Sequence, residues 1–256
     1  MEIRRLPQNL INQIAAGEVV ERPSSALKEL IENSLDADAT KIDIIIENGG
    51  KNLILVSDNG IGIKKKNIPL AVERHATSKL PYDSLNKIEF LGFRGEALPS
   101  IAAVSELNLQ SKHIDSVQAW SLDIDAGNFN KLYPSSREKG TKVSIKKLFF
   151  ATPARLKFLK SSQVEKSHCH QIVLKIALVN PNVGFNLKAD GRELLNIKSE
   201  NKSDELYLNR IRNLMGSEFS DEAIKIENSK QITDTKFAKI DGFIGLPTLN
   251  KSNYNQ

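Results

Sequence analysis

Glu29-Leu30-Ile31-Glu32-Asn33-Ser34-Leu35-Asp36 decides how this chain reads. Leu27, Leu30, Ile31 and Leu35 recur at helical spacing and should face a core. Glu29, Glu32, Asn33 and Asp36 stand at i, i+3, i+4 and i+7, which gathers them on the opposite side. Any solvated amphipathic helix shares that spacing. The chemical alternative is a carboxylate that orients water against a γ-phosphate, beside a neutral oxygen for Mg2+. Magnesium takes one or two protein oxygens and fills its shell with waters and phosphate oxygens. Asn33 offers such an oxygen without adding charge beside a triphosphate, and Glu29, one turn earlier, reaches the water. Arg22-Pro23 introduces the helix, because proline suits a first helical turn.

Downstream, residues 41–47 and 52–58 read as strands joined by Asn48-Gly49-Gly50, a hairpin signal. Leu53, Leu55 and Ser57 share one face, and Asp58 ends the strand in Asp58-Asn59-Gly60-Ile61-Gly62. A carboxylate there can accept the exocyclic amine of adenine, as carboxylates accept amino donors on other base edges, and would reject the guanine carbonyl. Gly60 and Gly62 would permit positive φ and close ligand approach. Asp-Asn-Gly is also an ordinary turn.

The third piece is Gly92-Phe93-Arg94-Gly95-Glu96-Ala97-Leu98, a glycine-bracketed loop before a helix expected from Glu96 to about Val104. Free N–H groups and the helix dipole at such a start suit an anion. The chain lacks both G-x-x-x-x-G-K-[ST] and a strand-borne G-x-G-x-x-G, so neither a P-loop nor a Rossmann site is expected. Residues 64–91 show no sustained period and read as a long loop with short helical pieces, a length that is usually functional. Within it Thr77, Ser78 and Lys79 offer two hydroxyls and a cation that could close over phosphates as a lid. Gly140-Thr141 opens a later strand and could add a hydroxyl.

Further strands are expected near 104–112, 118–125, 140–148, 183–189 and 192–198, the last two a hairpin around Asp190-Gly191. A long amphipathic helix is expected from Ser161 to Asn180, stopped by Pro181. Ser199-Glu200-Asn201-Lys202-Ser203-Asp204 reads as a linker, with a helix at 205–215 and a strand at 236–246 beyond it. The final run, 250–256, is polar. Fifty-odd residues make a small core, so an incomplete second domain is expected over 205–256 after a first over 1–200.

Composition is that of a soluble globular protein, 40% hydrophobic and 26% charged. One cysteine, Cys169, cannot form an intramolecular disulfide and suits a reducing cytoplasm; no targeting or membrane-spanning stretch is read. The charge is uneven: residues 139–175 hold nine Lys/Arg and one acid, Glu165. That suggests either a polyanion surface, with Lys157 and Lys160 as DNA-binding candidates, or a solvated lysine-rich face. Phe149, Phe150 and Phe158 within it read as core rather than base-stacking surface. His168 and His170 diverge on their helix and do not suggest a metal site.

Together these stretches resemble the N-terminal ATPase region of MutL-type DNA mismatch-repair proteins, members of the GHKL group with gyrase B subunits, Hsp90-type chaperones and histidine kinases. The likeness runs from Ile11-Asn12-Gln13-Ile14-Ala15-Ala16-Gly17-Glu18-Val19-Val20 through Thr152-Pro153-Ala154-Arg155 to Lys157-Phe158-Leu159. It implies an α/β fold (an α+β two-layer sandwich): a Bergerat-type mixed sheet packed on helices, then the start of a ribosomal-S5-like transducer domain. It implies a Mg2+-dependent ATPase with Glu29 as general base and Asn33 as Mg2+ ligand. Asp58 would bind adenine, Gly60 and Gly62 would shape its pocket, and Thr77, Ser78 and Lys79 would form the ATP lid. Gly92, Phe93, Arg94 and Gly95 would surround the phosphates, and Thr141 would be a late nucleotide contact.

The implied partners are DNA, bound without sequence preference, mismatch-recognition and downstream repair proteins, and a second copy paired in response to ATP. A further strand and a γ-phosphate lysine would follow in the family. Weak turnover and a mostly monomeric state are therefore expected for these 256 residues. Two rivals are another GHKL machine, such as a type II topoisomerase ATPase subunit, and a non-catalytic nucleic-acid module. A histidine kinase would need its phospho-accepting histidine ahead of this site, whereas the first histidine is His75.

Overall fold

Strand β1 (Lys41–Glu47) buries Ile42, Ile44 and Ile46 and exposes Lys41 and Glu47 at its ends, the period of two of a sheet covered on one face. Its antiparallel neighbour β2 (Leu53–Asp58) sets Asp58, Val56 and Ile54 opposite those isoleucines. Asp58 therefore continues the buried row, while Leu53, Leu55 and Ser57 line the other face. The computed structural model describes residues 3–80, 90–199, 203–233 and 236–247. Residues 81–89 of the long loop, the middle of the expected linker and the polar run 250–256 lie outside them.

Strands β3 (Glu106–Lys112), β4 (Ala119–Asp125), β5 (Asn128–Phe129), β6 (Tyr133–Ser135), β7 (Gly140–Lys146), β8 (Gly184–Ala189) and β9 (Arg192–Ile197) complete the sheet. Among the described residues it has nine strands in the order β5-β4-β3-β7-β2-β1-β8-β9, with β6 also on β4. Only the β1–β8 pair is parallel, so the sheet is mixed. The β8–β9 hairpin turns through Asp190 and Gly191, both at positive φ, as a two-residue hairpin turn requires.

Helices α2 (Pro23–Asp36), α3 (Ala97–Ala103) and α5 (Ser162–Val179) pack against the sheet, α2 on β2, α3 on β3 and β4, and α5 on β8. Helix α1 (Gln8–Val19) packs on α3. It lies where periodicity predicted no element, since Ala16 is its one buried residue. Leu27, Leu30 and Ile31 are buried by α2, each worth about 1.5–3 kcal/mol of burial. Leu35 departs from its expected place: it is half-buried and Ser34 takes the inward position, because the last turn of α2 faces the polar end of β2. On α5 the inward stripe is Glu165, Cys169, Val173 and Ala177. Burial, and secondarily Glu165, pushes the Cys169 thiol up to about 12, so it is an inert core group.

The chain divides into two units, Met1–Ser199 and Glu200–Gln256. The second contains α6 (Asp204–Met215), α7 (Ser217–Asp221) and a long antiparallel hairpin, β10 (Ala223–Thr233) with β11 (Lys236–Gly245). The Tyr207 and Phe243 rings meet within it at a tilt of 51°, with centroids 5.7 Å apart.

Candidate nucleotide site

Asp58 is 7% exposed, and both its oxygens have hydrogen-bond partners. Gly60 N and Thr141 N both donate to its Oδ1 at 3.0 Å, and Ser34 Oγ lies 3.0 Å from Oδ2. Burial raises the carboxyl above the ordinary aspartate value, against the lowering effect of those three donors and of Arg137. Arg137 donates through Nη2 to the Asp58 carbonyl at 2.9 Å and ties the β6–β7 connection to the end of β2. Burial in turn lowers the Arg137 guanidinium, with Asp58 opposing. Thr141 meets Asp58 through its amide rather than the hydroxyl expected of it, which is 2.9 Å from Ser111 Oγ.

The glycines here serve the protein backbone first. Gly60 does not adopt positive φ; a β-carbon there would overlap the Ala37 carbonyl. Gly62 does, at φ 72°, and its β-carbon would overlap the Lys112 carbonyl. Both positions require glycine before any ligand is considered.

The polar side of α2 faces Lys79, Leu91 and Gly92. Asn33 Oδ1 and Asp36 Oδ2 accept from Lys79 Nζ at 2.7 and 2.6 Å. Asp36 also accepts from Leu91 N and Gly92 N, both at 3.0 Å, and its side chain is only 5% exposed. The backbone donors of this loop turned toward Asp36 are thus Leu91 N and Gly92 N, at the start of the glycine bracket, not the first amides of α3. Helix α3 spans seven residues, and the Glu96 side chain before it pairs with Arg74 at 2.8 Å. Glu29 sits one turn from Asn33; burial raises its carboxyl, Lys28 lowers it, and the charges of Glu32, Lys79 and Arg94 act in smaller measure.

The segment carrying Lys79 is tied down at its base. Arg74 also donates to the Asn12 carbonyl on α1 at 3.2 Å. Gly95, at φ 63°, brings Ala76 so close that a β-carbon would stand 2.6 Å from the Ala76 carbonyl oxygen. Thr77 Oγ1 accepts from Lys79 N at 3.1 Å, and Ser78 lies between them. Phe93 carries the Arg94 guanidinium 5.7 Å from its ring centroid. The structure therefore gathers Asn33, Lys79 and Gly92 in one cluster and Asp58, Gly60 and Thr141 in a second, with α2 between them. Ser34, Asp36 and Arg137 were given no role in the sequence. Asp36 had a signal, its place on the acidic face, whereas nothing local marks Arg137.

Lys157 and Lys160 are exposed on and just after α4 (Pro153–Phe158). Of the phenylalanines expected in the core, only Phe149 is buried; Phe150 is 38% and Phe158 84% exposed. Six-residue α4 buries none of its residues, so Phe158 has no apolar surface to enter.

The family model described as histidine kinase-, DNA gyrase B- and HSP90-like ATPase matches residues 21–148, half of the chain, and the chain belongs to that family. Within it, the likeness is to the N-terminal ATPase region of MutL. The chain is 44% identical to the DNA mismatch repair protein MutL of Paramagnetospirillum magneticum, over 98% of this chain and 41% of that protein. It is 46% identical to MutL of Rickettsia bellii, with the same coverages. The chain thus spans about two fifths of the length of these curated relatives. Among solved structures it resembles the Aquifex aeolicus MutL ATPase domain complexed with ADP, with TM-score 0.67 and 30% identity over 82% of this chain and 73% of that one. It also resembles the N-terminal domain of a DNA repair protein, with TM-score 0.74 and 25% identity over 91% of this chain and 70% of that one. No helix among the described residues is long and apolar enough to cross a membrane.

Proposed function

We propose that the chain binds Mg-ATP between α2, the end of β2 and residues 90–95, hydrolyses it slowly, and uses the cycle as a switch in DNA mismatch repair. One observation carries this reading: Ser34 and Asp36, two residues apart on α2, contact Asp58 and the amides of Leu91 and Gly92 respectively. A single helical turn thereby joins a carboxylate suited to a purine edge with donors suited to phosphate.

In this reading Asp58 accepts the adenine amine, with Gly60, Gly62 and Thr141 around it. Gly92, Phe93, Arg94 and Gly95 flank the phosphates, and Thr77, Ser78 and Lys79 close over them. Glu29 orients the attacking water, and its burial strengthens it as a base. Asn33 would hold Mg2+, a fit supported by the Lys79 ammonium already drawn to its Oδ1 at 2.7 Å. When bound, that ion neutralises charge on the phosphate oxygens.

Closure of residues 74–80 and pairing with a second copy would then govern contacts with DNA, through Lys157 and Lys160, and with mismatch-recognition and downstream repair proteins. Residues 1–200 form the GHKL ATPase domain and 205–256 begin the transducer. The setting is cytoplasmic, at the nucleoid. The direct test is a binding titration comparing ATP with GTP, with and without Mg2+. Preference for ATP, strengthened by Mg2+, is expected; equal affinity for both nucleotides would remove Asp58 from the purine edge.

A further inference from the structure

The Lys79 ammonium sits between two oxygens of α2, 2.7 Å from Asn33 Oδ1 and 2.6 Å from Asp36 Oδ2, with its side chain 18% exposed. Asp36 is more buried still, and a carboxylate so placed needs a cation or several donors beside it. Leu91 N and Gly92 N supply two donors; Lys79 supplies the charge. Among the described residues no group of three His, Cys, Asp or Glu side chains converges on a point. A divalent cation at these oxygens would complete its shell from water and phosphate, as magnesium does.

Resting on the nucleotide reading, we propose that Lys79 is a tethered stand-in for the divalent cation. Its ammonium and the metal compete for Asn33 Oδ1 and Asp36 Oδ2, so metal-bound nucleotide enters by exchange and frees the Lys79 end of the 74–79 segment. Asp36 is thereby a cation-binding residue as well as Asn33. Departure of Lys79 alone would leave the buried Asp36 carboxylate with two amide donors and no counter-charge, which favours replacement by another cation over simple release. Gly92 borders the cation, since a β-carbon there would stand in van der Waals contact, 3.4 Å from both Asn33 Oδ1 and Lys79 Nζ. The far end of the segment stays pinned by Arg74 to Glu96 at 2.8 Å and to the Asn12 carbonyl at 3.2 Å, so release is hinged at Arg74.

The test measures ADP affinity calorimetrically in EDTA and in saturating Mn2+, and takes the ratio as the metal's contribution. Replacing the competing ammonium, Lys79→Gln, is expected to raise that ratio about tenfold, a modest share of the Coulomb energy of adjacent charges. Lys79→Arg keeps the charge and should leave the ratio near wild type. Adding Asp36→Asn to Lys79→Gln should bring the ratio back down. An unchanged ratio in Lys79→Gln, or an equal rise in Lys79→Arg, overturns the exchange. A ratio in the double variant equal to that of Lys79→Gln removes Asp36 from the cation. Failure of the wild-type chain to bind ADP in either condition overturns the nucleotide reading itself, and the exchange with it.

Discussion

Ser34 Oγ lies 3.0 Å from Asp58 Oδ2, so the last turn of α2 and the end of β2 share a hydroxyl beneath the proposed purine edge. The same hydroxyl is 3.1 Å from the Leu30 carbonyl, and its single proton can serve either acceptor. That choice makes the pocket tolerant of one substitution. In Asp58→Asn, Oδ1 keeps both amide donors, and the new NH2 group can donate to Ser34 Oγ while Ser34 donates to Leu30. ATP binding should nevertheless weaken by about 1.5–3 kcal/mol, the worth of a charge-assisted hydrogen bond. Calorimetric titration of a folded variant checks it; unchanged affinity would take Asp58 out of the site.

The same substitution predicts a pH dependence of stability. Burial raises the Asp58 carboxyl in the folded chain. A group raised on folding favours the fold while protonated and loses that advantage as pH rises through its folded value. At neutral pH the ionised side chain therefore costs stability that asparagine does not. Asp58→Asn should melt at or above the wild-type temperature at neutral pH, with the difference vanishing as pH falls below the ordinary aspartate range. A variant that melts lower at neutral pH would mean that the hydrogen bonds to the charged form outweigh its burial.

Glu29→Gln keeps the size of the side chain and removes its basicity. Hydrolysis should fall about 10²–10⁴-fold, the usual contribution of a general base, with ATP affinity little changed. Single-turnover hydrolysis measured beside equilibrium binding separates the two effects. Full turnover in Glu29→Gln would reassign the base.

Gly17 lies under the guanidinium of Arg155, which donates to the Ile14 carbonyl at 3.3 Å. In a free helix, glycine to alanine gains about 0.5–1 kcal/mol. Here the new β-carbon would overlap only the guanidinium end of Arg155, which can swing aside at the loss of one exposed 3.3 Å hydrogen bond, so Gly17→Ala should leave the melting temperature unchanged or slightly raised. A clearly lower melting temperature would show that Arg155 is held rigidly against α1.

Lys157 and Lys160 stand exposed beside Phe158 in the basic segment. Reversing both lysines to glutamate should weaken binding to DNA of any sequence and flatten its salt dependence, because counterion release scales with the phosphates contacted. Filter binding across a salt series measures both. Wild-type affinity at low salt would move the DNA surface elsewhere.

Local sequence determined the elements that bracket the site. Pro23 at the first turn of α2, the alternating isoleucines of β1, the glycine pair after Asn48 and the Asp190-Gly191 turn all act through neighbouring residues, so their periods and turn chemistry are readable along the chain. The polar face of α2 was equally legible, since 3.6 residues per turn puts Glu29, Asn33 and Asp36 on one side. What no local pattern could decide was who meets that face. Asp36 receives Lys79, Leu91 and Gly92 from 43 to 56 residues away, Asp58 receives Thr141 from 83 away, and Gly17 meets a guanidinium far along the chain. Leu35 and Phe158 were misread for the same reason. Hydrophobicity states a preference for burial, but whether a partner surface exists depends on the packing of elements distant in sequence, and that is decided only when the sheet closes against its helices.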